Sequence, residues 1–162
     1  MPETKKIQVI PMPTDNKAKL LDETSWAKDF TWEEIVKFVE FMKAYFVIKD
    51  DLVFLEGDPG NEFFVIVQGR VTVEKMHKNK PVVVALLSEG QAIGELSLVD
   101  HEPRSATIRA TVETRLLGLD RSALQQLTEK YPYLVNKLLI KILRMLGQRL
   151  RRTSSQFVDS IA

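Results

Sequence analysis

Residues 90–110 read GQAIGELSLVDHEPRSATIRA: a glycine, an acid, a short amphipathic turn, a polar loop, and an arginine followed by two small residues. Each of these has a chemical consequence. Gly94 lets a backbone approach a ligand closely. If Glu95 to Leu98 wind into a short helix, its free N–H groups and dipole face an anion at its start. Arg104 adds a planar, permanently charged fork that matches two phosphate oxygens. Ser105 and Ala106 are small enough to leave their own N–H groups reachable. These residues together make a phosphate cradle. Glu95 needs a different partner, because an ionised carboxylate only accepts hydrogen bonds and repels phosphate. A sugar hydroxyl is a natural donor to it, so a ligand carrying one phosphate charge beside a ribose uses both groups. Each such charge-assisted bond contributes roughly 1.5–3 kcal/mol.

On either side of this stretch the pattern is β. Between Val47 and Leu119, short apolar runs such as FFVIV (63–67), VTV (71–73) and VVVALL (82–87) alternate with turn signals. Gly57 to Gly60 encloses Asp58 and Pro59, and His77 to Lys80 is a polar tip between two strands. Short strands at this spacing predict a sandwich or jelly-roll barrel. Ahead of them, Thr31 and Glu34 have capping-box spacing and Phe30 and Ile35 the spacing of a hydrophobic staple, so a helix starts there. Its apolar face is predicted as Ile35, Phe38, Val39, Met42 and Tyr45 or Phe46. Behind them, Asp120 is an N-cap for RSALQQL, and Pro132 suits the first turn of a longer helix. The predicted fold is therefore mainly β with flanking α-helices: a double-stranded, jelly-roll barrel with an N-terminal helix and a long C-terminal helix. Residues 1–22, polar with Pro11 and Pro13, read as a flexible arm, 23–130 as the barrel domain with its helix, and 131–162 as the C-terminal helix.

GELSLVDHEPRSATIRA resembles the phosphate-binding cassette of the cyclic nucleotide-binding domain family, which includes the catabolite activator protein and the regulatory subunits of cyclic AMP-dependent protein kinase. Gly94, Glu95, Leu96, Pro103, Arg104, Ala106 and Ala110 stand at the family's spacing, and EGDPGNEFFVIVQGRVTV (56–73) is similar to its upstream signature. The resemblance implies that Arg104 binds the cyclic phosphate and Glu95 the ribose 2′-hydroxyl. Gly94, Leu96, Ser97, Ser105 and Ala106 then line the cassette, mainly through the backbone. QRLRRTSSQ near the end is similar to the Thr-Ser pair that reads adenine in the bacterial activator, which makes Thr153 and Ser154 candidates for the base. Counted from Pro132, the pair comes about one helical turn later here. Asp51 also departs from the family, many of whose members have a glycine near that position. Cyclic AMP is the expected ligand ahead of cyclic GMP. Ser105, where cyclic GMP-selective kinase domains tend to carry Thr, favours adenine, as does the Thr153–Ser154 match.

Composition narrows the alternatives. Twenty-three Lys plus Arg against 22 Asp plus Glu leave a net charge of +1, too little for a general field that draws in nucleic acid or anionic lipid. No cysteine is present and only His77 and His101 are available, so thiolate chemistry and the histidine-rich metal centre of a cupin enzyme have no donors. Ser97 and Ser105 have no evident histidine base, and no enzymatic activity is expected. Lys137, Lys141, Arg144, Arg149, Arg151 and Arg152 read as a solvated helix face. No apolar run reaches membrane-spanning length and no signal peptide opens the chain, so the cytoplasm is the expected compartment. With the sequence stopping at Ala162, a helix-turn-helix and DNA reading are not expected. Leu139, Ile142, Leu143, Leu146 and Leu150 form one stripe of the last helix with Leu134, Leu138 and Met145 beside it. That face is wide enough to pack on the barrel and still pair with a second copy, so a homodimer is expected. Two further readings stand beside the sensor: a scaffold of the same fold with an empty cassette, and a sensor fragment of a larger transcription factor, channel or kinase subunit.

Overall fold

The computed structural model describes residues 7–162. In chain order its elements are β1 (Gln8–Ile10), α1 (Thr14–Asp22), α2 (Trp32–Val39), β2 (Lys43–Val47), β3 (Leu52–Phe54), β4 (Glu62–Gln68), β5 (Arg70–His77), β6 (Lys80–Ser88), β7 (Ala92–Ile93), β8 (Thr107–Ala110), β9 (Thr114–Asp120), α3 (Arg121–Lys130) and α4 (Pro132–Ile161). Short 3-10 turns cover Ser25–Asp29 and Glu95–Leu98. The strands form two antiparallel sheets, ordered β1-β2-β9-β4-β7 and β3-β8-β5-β6. One core joins them: Tyr45, Phe64 and Leu116 from the first sheet cluster with Phe54, Val71 and Ile108 from the second. This is the jelly roll the turn spacing predicts.

The apolar run at 63–67 has no polar alternation because both faces of β4 are covered. Phe64 lies in the barrel core. Phe63, pointing the other way, packs at 6.3 Å on Trp26, which stacks on Phe30 at 5.1 Å and on Phe38 of α2 at 5.4 Å. The capping box of α2 forms as its spacing predicts: Glu34 N–H donates to Thr31 Oγ1, and Thr31 N–H donates to a Glu34 carboxylate oxygen.

Two predicted elements change. The arm expected over 1–22 becomes, from Gln8 onward, a strand paired with β2 and a helix whose Ala18 and Leu21 are fully buried; residues 1–6 lie outside the described residues. The helix predicted to run through Tyr45 or Phe46 ends at Val39. Met42 N–H donates to the Val39 carbonyl in a tightened last turn. Tyr45 and Phe46 then join β2, where Tyr45 faces Val9 of β1 and Leu116 of β9. Pairing on both strand edges outweighs the helical period there. The chain divides into two compact units after Leu124, and the helix expected from residue 131 runs over Pro132–Ile161.

The turn chemistry holds. Asp58 caps the Gly57–Gly60 turn by accepting from Leu55 N–H, and Lys78 and Asn79 take the left-handed conformations of a two-residue hairpin loop between β5 and β6. β6 is a sheet edge, and its VVV run is not core: Val82, Val83, Val84 and Leu86 are exposed. Asp120 caps α3 by accepting from Ala123 N–H at 2.8 Å. In the second unit, α4 starts with Pro132 in its first turn and runs 30 residues. The stripe read from sequence is split along it. Leu134, Val135, Leu138 and Ile142 are buried, whereas Leu143, Leu150, Phe157, Val158 and Ile161 are exposed.

Candidate functional site

The 90–110 stretch folds as a left-handed glycine, one 3-10 turn and a loop that returns to β8. Gly94 takes φ 75° and opens the Glu95–Leu98 turn, a conformation that disfavours any side chain. Gly94 is thus demanded by the backbone as well as by close approach. The loop crosses Asp100, which accepts from Glu102 N–H, and His101, exposed at φ 56°. It then pairs with the Gly57–Gly60 turn: Arg104 N–H donates to the Asp58 carbonyl and Gly57 N–H donates to the Arg104 carbonyl, both at 2.8 Å.

Arg104 points inward and is 6% exposed. Its Nη1 donates to the carbonyls of Glu62 at 2.8 Å and Gly94 at 3.4 Å, and its Cζ sits 4.0 Å above the Phe54 ring centre. Its Nε is buried without a hydrogen-bond partner. Two glycines make the slot. A Cβ on Gly60 would overlap Arg104 Nε, and one on Gly94 would lie 2.5 Å from Nη1. Burial pushes the guanidinium down from its ordinary value, while the charges of Glu62, Asp58 and Glu95 push it back up. Arginine stays protonated throughout. The site therefore holds a buried cation whose Nη1 donates to carbonyl dipoles and whose Nε has no hydrogen-bond partner among the described residues. An anion offering an oxygen to Nε would offset the cost of that burial.

The structure brings Gly94, Glu95, Leu96, Ser97, Arg104, Ser105 and Ala106 into one cassette. Glu95 and Ser97 are buried at 6% and 3% exposure. Leu96 and Ser105 are exposed and Ala106 is buried. Thr153 and Ser154 are exposed on α4 in the second unit.

Four contributors escape a reading of spacing. Lys75 on β5 donates to the Ser105 carbonyl at 2.5 Å and to Glu56 Oε1 at 2.7 Å, and Glu56 N–H donates to Thr107 Oγ1, so the exit of the cassette is clamped. The bond from Lys75 holds the Glu56 carboxyl below its usual range, helped by the Met76 N–H. Arg121 donates to the Ser97 carbonyl and ties down the 3-10 turn. Phe54 and Glu62 build the Arg104 slot from strands far away in sequence. Glu62 lies in the 56–73 stretch that resembles the family's upstream signature, but that resemblance did not indicate what its main chain faces. Among the described residues no cluster of three or more His, Cys, Asp or Glu could hold a metal ion, and no helix is long and apolar enough to cross a membrane.

The jelly roll and the geometry of the 90–110 loop are those of a domain with known relatives. The sequence profile of the cyclic nucleotide-binding domain matches residues 46–131, and the chain belongs to that family. A cyclic nucleotide-binding domain from Methylobacillus flagellatus KT superposes with a TM-score of 0.79 at 32% identity, covering 91% of this chain and 83% of that one. The catabolite activator protein of Thermus thermophilus gives 0.71 at 26% identity, over 82% of this chain and 61% of that one. The CRP-like cAMP-activated global transcriptional regulator of Mycobacterium tuberculosis is 31% identical over 110 residues, which are 67% of this chain and 47% of the regulator. The chain thus spans about half the length of that relative.

Proposed function

We propose that this chain is a cyclic mononucleotide sensor, with cyclic AMP as its ligand ahead of cyclic GMP. The observation that carries the reading is Arg104: a buried guanidinium in a glycine-walled slot, donating to carbonyls from Nη1, with Nε left without a partner among the described residues and a buried acid nearby. In this reading the cyclic phosphate takes Arg104, with Ser105, Ala106 and the N–H groups of the Gly94–Ser97 segment around it. Glu95 accepts from the ribose 2′-hydroxyl, and Leu96 offers apolar surface at the rim. By resemblance to the bacterial activator, Thr153 and Ser154 are assigned to adenine. The role is binding and signalling, with no chemical step on the nucleotide.

Signal output is assigned to α4. Leu143, Leu150 and Phe157 recur every seven residues and are exposed, the spacing of a coiled-coil seam. A second copy of the chain is the proposed partner. A ligand that binds one arrangement of α4 better than another shifts the population, by an amount set by its differential affinity.

Calorimetric titration with cyclic AMP and cyclic GMP tests the reading. Saturable binding that is tighter for cyclic AMP, and lost in Arg104→Ala, supports it. No heat and no rise in melting temperature with either nucleotide at millimolar concentration overturns it in favour of the scaffold.

A further inference from the structure

We infer that Tyr45 and Glu62 are positioning residues that fix the Arg104 guanidinium through the main chain of Glu62. The inference rests on the cyclic nucleotide reading for its ligand, and on the ligand-free geometry for its mechanics. Tyr45 lies on β2 and Glu62 on β4, with β9 between them in the sheet. The tyrosine reaches over β9, and its hydroxyl donates to Glu62 Oε1 at 2.5 Å. Gly118 on β9 makes the crossing possible: a Cβ there would stand 2.5 Å from Glu62 Oε1 and 2.7 Å from Tyr45 Cε2. The Glu62 carbonyl in turn receives Arg104 Nη1 at 2.8 Å.

The bridge thus holds both ends of one residue, the side chain by Tyr45 and the carbonyl by Arg104. Burial pushes the tyrosine hydroxyl and the Glu62 carboxyl above their ordinary ranges. The hydroxyl keeps its proton and stays a donor. A second route runs through the rings. Tyr45 meets Phe64 edge-on at 5.3 Å, Phe64 lies 6.3 Å from Phe54, and Phe54 carries the guanidinium. Tyr45→Phe leaves that ring path in place and removes only the hydrogen bond, which makes it the clean perturbation.

The experiment uses the full chain with Tyr45→Phe, Glu62→Ala and Glu62→Gln. It measures affinity for cyclic AMP and 2′-deoxy cyclic AMP, and the Arg104 Nε–H resonance of the ligand-free protein. Tyr45→Phe and Glu62→Ala should each weaken both nucleotides by the same factor, about five- to tenfold, less than a bond made to the ligand itself because the lost bond acts only through the Glu62 main chain. Each should also shift or broaden the Nε–H signal. Glu62→Gln, whose amide oxygen still accepts from Tyr45, should keep affinity within about twofold. An unchanged resonance and unchanged affinity in Tyr45→Phe overturns the inference. So does a Glu62→Gln variant as weak as Glu62→Ala, because charge instead of the bond would then be at work. If the wild-type protein binds neither nucleotide while the resonance still responds to Tyr45→Phe, the sensor reading fails and the positioning role stands.

Discussion

Arg104 and Arg109 come from the same short segment and meet opposite fates. Arg109, on β8, donates from Nε to Glu74 at 3.2 Å and from Nη1 to the Asp50 carbonyl at 2.8 Å, and Thr72 donates to the same carboxylate. Its side chain keeps 34% exposure, so water screens what the acid does not neutralise. Arg104 is driven into the protein, where Nη1 donates to main-chain carbonyls, Nε has no partner among the described residues, and the charges of Glu62, Asp58 and Glu95 stand nearby. A charge that only holds structure is matched to an acid. Under the proposed function, Arg104 is left short of partners because a buried charge that is only partly matched is costly until a ligand completes it.

The largest break of this contrast is Arg104→Ala. It should lower cyclic AMP affinity by about a hundredfold or more, the loss of two charge-assisted bonds, while a cooperative thermal transition persists. Retained affinity by calorimetry would reverse the roles of the two arginines. Next comes Glu95→Ala, expected to weaken cyclic AMP by about thirtyfold and 2′-deoxy cyclic AMP far less. Equal losses would remove the acid from the ribose. Gly60→Ala tests the slot itself. Its methyl would overlap Arg104 Nε, so affinity should fall by about tenfold, with circular dichroism unchanged. The smallest effect on binding belongs to Arg109→Ala, which should stay within about twofold of wild type. It leaves Glu74 buried at 8% exposure without its cation, and stability should drop by about 1–3 kcal/mol, read as a lower melting temperature.

Much of the cassette was legible before any coordinates because its residues are neighbours in sequence. Gly94, Glu95, Arg104 and Ala106 sit on one loop, and a loop that binds an anion must carry its glycine, its cation and its small residues at fixed intervals. The sequence names Arg104 as the phosphate partner, and the structure shows that it is buried. Residue type and spacing carry no information on how deep a side chain lies. The partners that take it inward, Phe54, Gly60 and Glu62, lie 42 to 50 residues upstream. The same separation hides Lys75 beneath Ser105. The VVV run of β6 is exposed, and an apolar run at a sheet edge looks the same in sequence as one in the core.

What the amino-acid sequence determined by itself was local: the Thr31 capping box, the Asp58 and Asp120 caps, the hairpin tip at Lys78–Asn79, and the order of chemical groups along the cassette. Each depends on interactions among residues a few positions apart, which survive any choice of fold. The tertiary structure decided the end of α2 at Val39, the strand at Gln8–Ile10, the burial of Arg104 and the Tyr45–Glu62 bridge over Gly118. These depend on which strands become neighbours, and that choice is made by the whole core at once, when sheet pairing and burial of Tyr45, Phe54 and Phe64 outweigh the preferences of any single segment.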